Sequence, residues 1–428
     1  MREKSMITST PAIPPYHERL IEPYLTRLAT ELSAFMVVGP RAVGKTRTVE
    51  RRAATTIRLN VAGEAVAFRA DADAALLGLD EPVLLDEWQE VPDVLRAVAQ
   101  QVNADPRPSR YFLTGSARAE VENTPWPGTG RLQRVPIYPM TVRERCSRTG
   151  AEGVVDKLVE GVPLTAPRTA LNLRDYVDLL LVGGFPYPAL ALSDPVARAA
   201  WFDSYVDDLV THDVEQLEDS KTKPRDPLRL RRYFEAYALT SAGVSDHKTI
   251  FEAAQVQQKT AARYAELLEK LYVVEQVQPW MTNRLSRLTH QPKRYVIDPA
   301  LAAHVLRLDA QGILADGNLL GRMLDTFVAA QLRPEVAVSS HRVRQYHVRT
   351  EGGRHEVDIV LELGGDRVIG IEVKAAAAPD AADAKHLTWL REQLGDRFVV
   401  GVVFCSTPRV YQLSDRIVAA PIASIWTD

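Results

Sequence analysis

The run Gly39-Pro40-Arg41-Ala42-Val43-Gly44-Lys45-Thr46 constrains this 428-residue chain more than any other stretch. It follows Phe35-Met36-Val37-Val38, a short apolar run bounded by Gly and Pro that reads as a buried strand. A helix is expected to follow it. In that context GxxxxGK[ST] is a phosphate-binding loop. Gly39 and Gly44 let the backbone close around phosphates, and Pro40, Arg41, Ala42 and Val43 form the loop between them. Lys45 is placed to reach the terminal phosphates and Thr46 to hold Mg²⁺. The cofactors expected are therefore a nucleoside phosphate and Mg²⁺.

Two more buried strands fit the same sheet. Val83-Leu84-Leu85 ends in Asp86-Glu87, and Tyr111-Phe112-Leu113 ends in Thr114-Gly115-Ser116. In a phosphoryl-transfer site an acid at a strand end holds Mg²⁺, the role expected for Asp86. Glu87 is then positioned to polarise the attacking water. Thr114 and Ser116 either orient water or cap the turn locally. Arg131 is a candidate for charge stabilisation in the manner of an arginine finger. Strands alternating with helical patterns argue for a parallel α/β sheet.

Bulk composition excludes several classes. The 52 Lys plus Arg nearly balance 55 Asp plus Glu, so the chain is neither a polycation nor an acidic solvating tail. Its two cysteines are far apart, which argues against a disulfide framework or a Cys-rich zinc site. No apolar run approaches the roughly 18 residues of a membrane helix, and the N-terminus lacks a signal-peptide core. A soluble, cytoplasmic, multidomain protein without membrane attachment is expected. We divide it into a flexible lead-in (1–16), an ATPase domain with a helical lid (17–227), a small middle domain (228–300) and an α/β terminal domain (318–428). A helix is expected from about Tyr16 to Glu31.

Residues 228–297 carry 11 Lys plus Arg against 6 Asp plus Glu, a basic segment in a chain of net charge −3. Helices followed by a β segment fit a winged helix. On the helix Gln258–Leu271, Ala261, Tyr264, Leu268 and Leu271 share an apolar face. Gln257, Gln258, Lys259 and Arg263 lie on the other, where they can reach base edges or phosphates. Arg284, Arg287, Lys293 and Arg294 follow the wing and are available to a nucleic-acid backbone. The same module also serves as an interdomain packing unit, and both readings stay open.

The terminal region carries a second chemical pattern. His355-Glu356-Val357-Asp358 and Ile371-Glu372-Val373-Lys374 are expected on two strands of a hairpin around Gly364-Gly365. Residues two apart on a strand share a face, so Glu372 and Lys374 point together and Asp358 joins them. Two carboxylates there can hold a divalent ion, Mg²⁺ or Mn²⁺, beside a lysine that orients water. This is the D…ExK arrangement of PD-(D/E)xK nucleases. Asp325, on the preceding helix, is a further candidate ligand. Gln393 is a candidate polar contact, and Arg342, Arg344, Arg349 and Arg354 are available to phosphates. His341, His347 and His355 show no metal-binding spacing. Only 11 of the basic residues are lysines, and two of them, Lys45 and Lys374, fall where the two patterns each require one.

GPRAVGKT, LLDEWQEVP, YFLTGSA, GRLQRVPIYPMTVRE and VGGFP, in that order, resemble the AAA-type bacterial and archaeal ATPase family. The resemblance continues through PWMTNRLSRLTHQPKRYVIDPAL and FVAAQL to the C-terminal region. It implies an α/β multidomain chain: an AAA-type P-loop NTPase, a winged helix and a C-terminal PD-(D/E)xK nuclease-like domain. It further implies ATP hydrolysis by Lys45, Thr46, Asp86 and Glu87, with Thr114 and Arg131 behind them, and a homo-oligomer with sites at subunit interfaces. The chain departs from the family at Arg47, at Tyr187 and at Asp325, where Thr, Glu and Glu are usual. Two functions follow. One is an ATPase whose nucleotide state gates a metal-dependent nuclease acting on nucleic acid, extending to a toxin or defence element held by a neutralising protein partner. The other is a non-cleaving, ATP-dependent switch that binds DNA or a regulatory protein partner.

Overall fold

The computed structural model describes residues 15–115, 128–213, 226–281 and 291–427. Ser116, Arg284, Arg287 and most of the lead-in lie outside the described residues.

The first sheet contains β1 (Ala34–Val38), β2 (Thr55–Arg58), β3 (Val83–Asp86), β4 (Tyr111–Thr114) and β5 (Leu132–Pro136). Their spatial order is β2-β3-β4-β1-β5, and every pairing is parallel. The three central strands are those expected from sequence. They are apolar along nearly their whole length because both faces are covered, as parallel sheets require. The edge strands β2 and β5 alternate or expose polar residues and carry no such signal. The expected helix at 16–31 forms only over Ile21–Leu28, and Tyr16–Arg19 is not helical.

In the middle region the helix Gln258–Lys270 buries Ala261, Tyr264 and Leu268, with Leu271 just beyond it. Gln257, Gln258, Lys259 and Arg263 are exposed. An antiparallel ribbon follows, β6 (Val274–Val277) with β7 (Lys293–Val296). One expectation is corrected here. Lys293 and Arg294 are 1% and 6% exposed, so neither is available to a nucleic-acid backbone. Arg294 donates to the Ser245 carbonyl, and Lys293 enters the terminal domain.

The second sheet holds β8 (Arg344–Arg349), β9 (Glu356–Glu362), β10 (Val368–Val373), β11 (Phe398–Cys405), β12 (Tyr411–Ser414) and β13 (Ile417–Pro421), in the order β12-β13-β11-β10-β9-β8. The helix Lys385–Leu394 packs on β9, β10 and β11. Its Leu387 lies so close to Gly370 that a Cβ there would meet a methyl carbon at 2.6 Å. A 22-residue helix, Gly317–Val338, packs against β8 and β10. We call it the bridging helix. One continuous apolar core runs from Val142 through Tyr176, Phe234, Leu268, Val296 and Phe327 to Ile371 and Trp426. The helices Val154–Glu160, Leu173–Val182 and Pro195–Asp208, the middle region and the terminal sheet are thus packed on one another. Among the described residues, no helix is long and apolar enough to cross a membrane.

Candidate functional site

The phosphate-binding loop leaves the C-terminal end of β1, and its backbone is set by close approach. A Cβ on Gly39 would lie 2.2 Å from the Ile137 carbonyl oxygen, so only glycine fits. Gly44 has φ +96°, a conformation that favours glycine. Lys45 is buried, and its Nζ donates to the carbonyls of Gly39 at 3.0 Å and Pro40 at 2.8 Å. Thr46 Oγ1 donates to Asp86 Oδ1 at 2.7 Å, and Thr114 Oγ1 donates to the same oxygen. The register of β3 on β4 sets Asp86 opposite Thr114. Two sequence-derived candidates therefore converge on the carboxylate of a third. Glu87, in left-handed conformation just after β3, accepts from Gln89 Nε2.

These residues fit a Mg²⁺-nucleotide. The glycine cradle fits phosphate oxygens, and the adjoining Thr46 hydroxyl and Asp86 carboxylate are hard oxygen donors suited to Mg²⁺. Bound there, the ion would neutralise charge on the phosphates. Arg131 is not brought to this site. It precedes Leu132, which pairs with Ala34 at the opposite end of β1, and its Nε donates to Asn103 Oδ1 at 2.6 Å.

Several residues that hold the loop carry no sequence signal. Buried Arg19 donates from Nη1 to the Val43 carbonyl at 2.9 Å, from Nη2 to Tyr138 O at 2.5 Å, and from Nε to Glu144 Oε1 at 3.0 Å. Glu144 also accepts from the backbone of Leu20 and closes a capping box with Thr141 on the short helix Val142–Arg145. The GGFP turn lies against the loop: Pro186 Cγ is 3.6 Å from where a Gly44 Cβ would stand. Gly184 donates to Asp298 and accepts from Met140 N. Burial raises the Asp298 carboxyl above its ordinary range, against the backbone N–H groups it accepts from.

Next to Glu144, Arg143 faces the other way. Its Nη1 meets Glu335 Oε1 of the bridging helix at 2.6 Å, with both side chains under 5% exposed. Val142 N donates to Gln331 Oε1 one turn earlier on that helix, at 2.7 Å. Asp325 lies six residues before Gln331, about 9 Å along the axis at 1.5 Å per residue.

At the terminal sheet, β9 and β10 form the expected hairpin. Ile359 pairs with Ile371, so the register brings Asp358 beside Glu372. Lys374 Nζ meets Glu372 Oε2 at 2.8 Å. Asp325 reaches the same place from the bridging helix. Sequence reasoning assigns Lys293 to a nucleic-acid face and misses it here. Its Nζ lies 2.5 Å from Asp325 Oδ2, 3.3 Å from Asp358 Oδ1 and 3.1 Å from the Asp358 carbonyl. Tyr295 Oη donates to Asp325 Oδ1 at 3.0 Å, and Val373 N donates to Asp358 Oδ2 at 2.9 Å. Burial pushes the Asp325 carboxyl up to about 6, even against Lys293. Although burial acts in the opposite direction, Lys293 holds the Asp358 carboxyl below its usual range. Burial, with Asp358 beside it, pushes Glu372 up to about 8. His347 is fully buried, and burial beside Lys293 lowers its imidazole to about 3. Among the described residues, no group of three or more His, Cys, Asp or Glu side chains is arranged to hold a metal ion.

The five-stranded parallel sheet with its phosphate loop is the fold of an AAA-type P-loop ATPase domain, and residues 32–146 match the family model of an AAA domain. Residues 173–312 and 320–425 match models of two domains of unknown function, DUF8612 and DUF4143. Similar over most of their length are the uncharacterized proteins Rv2008c of Mycobacterium tuberculosis and Mb2031c of Mycobacterium bovis. Each is 27% identical over 409 residues, covering 94% of this chain and 83% of its own. Among solved structures, the Walker-type ATPase PABY2304 of Pyrococcus abyssi aligns over 67% of this chain and 94% of its own, at 15% identity and TM-score 0.39. Drosophila ORC bound to DNA aligns over 72% of this chain and 96% of the other, at 13% identity and TM-score 0.22.

Proposed function

We propose that the protein is an ATP-hydrolysing switch whose nucleotide state is passed to the terminal sheet through the bridging helix. The observation that carries this reading is the placement of two adjacent residues. Glu144 holds Arg19, which holds the Val43 carbonyl of the phosphate loop, while Arg143 holds Glu335 of the bridging helix. A shift in the loop on nucleotide binding or hydrolysis would reach Asp325 through packed, hydrogen-bonded groups rather than through solvent. In this reading Lys45 and Thr46 bind the nucleotide, Asp86 with Thr46 holds Mg²⁺, Glu87 orients the attacking water and Thr114 fixes Asp86.

A second reading, ATP-gated cleavage of nucleic acid, is favoured by one observation: Asp358, Glu372 and Lys374 share one face of the hairpin. The two separate in one experiment. Phosphate release from ATP by the full chain is measured beside Lys45→Ala and Asp86→Asn, and DNA and RNA are incubated with Mn²⁺ and ATP. The switch requires hydrolysis that both substitutions abolish. Cleavage lost in Asp358→Asn would establish the second reading. A folded wild-type chain that neither binds nor hydrolyses ATP would overturn both.

A further inference from the structure

A D…ExK hairpin joined by a third acid gathers oxygen ligands for a divalent cation, and five of the six carboxylate oxygens of this one are already committed. An ammonium has three donors. Those of Lys293 have three acceptors within reach: Asp325 Oδ2, Asp358 Oδ1 and the Asp358 carbonyl. The second oxygen of Asp325 accepts from Tyr295 Oη, and that of Asp358 from Val373 N. Glu372 Oε2 meets Lys374, so Glu372 Oε1 is the carboxylate oxygen there with no hydrogen-bond partner among the described residues. The carboxylates do not fit a divalent ion in this arrangement. Two of them are bridged by a cation the chain itself supplies.

We infer that the Lys293 ammonium, delivered by β7 of the middle region, takes the place of the metal ion at the Asp325–Asp358–Glu372 cluster, so that this cluster binds no divalent cation while Lys293 is seated. A metal ion sharing those oxygens would be crowded by a fixed positive charge that lies 2.5 Å from one and 3.3 Å from the other, where repulsion in a buried setting is large. The arrangement also gives Lys293 a structural task. A lone ammonium at 1% exposure is untenable, and these carboxylates neutralise it. The ribbon β6–β7 is thereby fastened to the terminal sheet. Any cleavage by this domain would first require β7 to withdraw. The inference does not depend on the ATP reading, because its test contains no nucleotide.

Mn²⁺ binding to the full chain is followed by electron paramagnetic resonance, with Asp86→Asn in every variant to remove the phosphate-loop acid. The parent is expected to show no saturable site up to about 1 mM, the weak end of protein divalent-ion sites, that Asp358→Asn removes. Lys293→Met, close in length and without the charge, is expected to gain one site about tenfold tighter or more. That site should vanish in Lys293→Met with Asp358→Asn. A saturable parent site lost in Asp358→Asn would overturn the inference, as would a folded Lys293→Met variant that gains none. The parent comparison decides the matter even where Lys293→Met does not fold.

Discussion

Arg143 and Glu335 form a 2.6 Å ion pair, 192 residues apart in sequence, in which both side chains are almost wholly removed from water. Arg143 Nε also donates to the Arg148 carbonyl, and Glu335 occupies the space beside Gly153. The pair therefore fastens the end of the AAA-type domain to the helix that carries Asp325. Removing one member leaves the other charged and buried without its partner.

Glu335→Met alone is thus expected to destabilise the folded chain by about 3–5 kcal/mol. Arg143→Met with Glu335→Met is expected to recover most of that loss, since an apolar pair of similar volume fills the space. Urea denaturation of the two variants checks this. Equal loss in both would mean that the charge pair is not what holds the contact.

Thr114 and Thr46 donate to one oxygen of Asp86. A hydrogen bond to a charged group contributes about 1.5–3 kcal/mol. Thr114→Val, nearly isosteric, is expected to lower kcat for ATP by about tenfold or more, with a much smaller change in ATP affinity. Steady-state hydrolysis with a separate nucleotide-binding measurement distinguishes the two effects. An unchanged kcat would remove Thr114 from the site.

The parts of this molecule legible in its sequence are those with local pattern. β1, β3 and β4 read as apolar runs, and GxxxxGK[ST], Asp86-Glu87 and ExK read from spacing. β2 and β5 do not, because edge strands bury less and need no continuous apolar run. Arg19 and Lys293 escape for a different reason. Each is a single basic residue whose partners lie far away in sequence, 125 residues for Arg19 and Glu144, 32 and 65 for Lys293 with Asp325 and Asp358. Lys293 also sits in a basic stretch that reads as a solvated face until its burial is seen.

Gly184, in the turn that touches the phosphate loop, is hemmed in by the backbone of Met140. A Cβ on Gly184 would lie 2.3 Å from the Met140 carbonyl oxygen and 2.7 Å from its nitrogen. Gly184→Ala is expected to destabilise by about 1–3 kcal/mol through overpacking, whereas Gly150→Ala, which meets nothing within 4 Å, is expected to change stability little. Thermal unfolding of the two variants provides the comparison.

Glu372 gives a pH dependence with a defined sign. Its folded-state carboxyl is raised to about 8 by burial and by Asp358, above the ordinary value near 4.5. Between those values the folded chain holds a proton that the unfolded chain has lost. Its stabilising effect is complete below about 4.5 and fades as pH rises to about 8, with a slope of at most about 1.4 kcal/mol per pH unit. Glu372→Gln is expected to flatten this part of the stability profile. A profile that is parallel in both proteins would contradict a raised carboxyl.

The coupling of the phosphate loop to the terminal sheet is tested most directly by amide hydrogen exchange over Lys293–Val296 and Glu356–Val373, with and without ATP and Mg²⁺. In the wild-type chain ATP is expected to change exchange in both segments, and in Lys45→Ala to change neither. ATP that protects residues 39–46 of the wild-type chain but leaves those two segments unaltered would contradict the coupling.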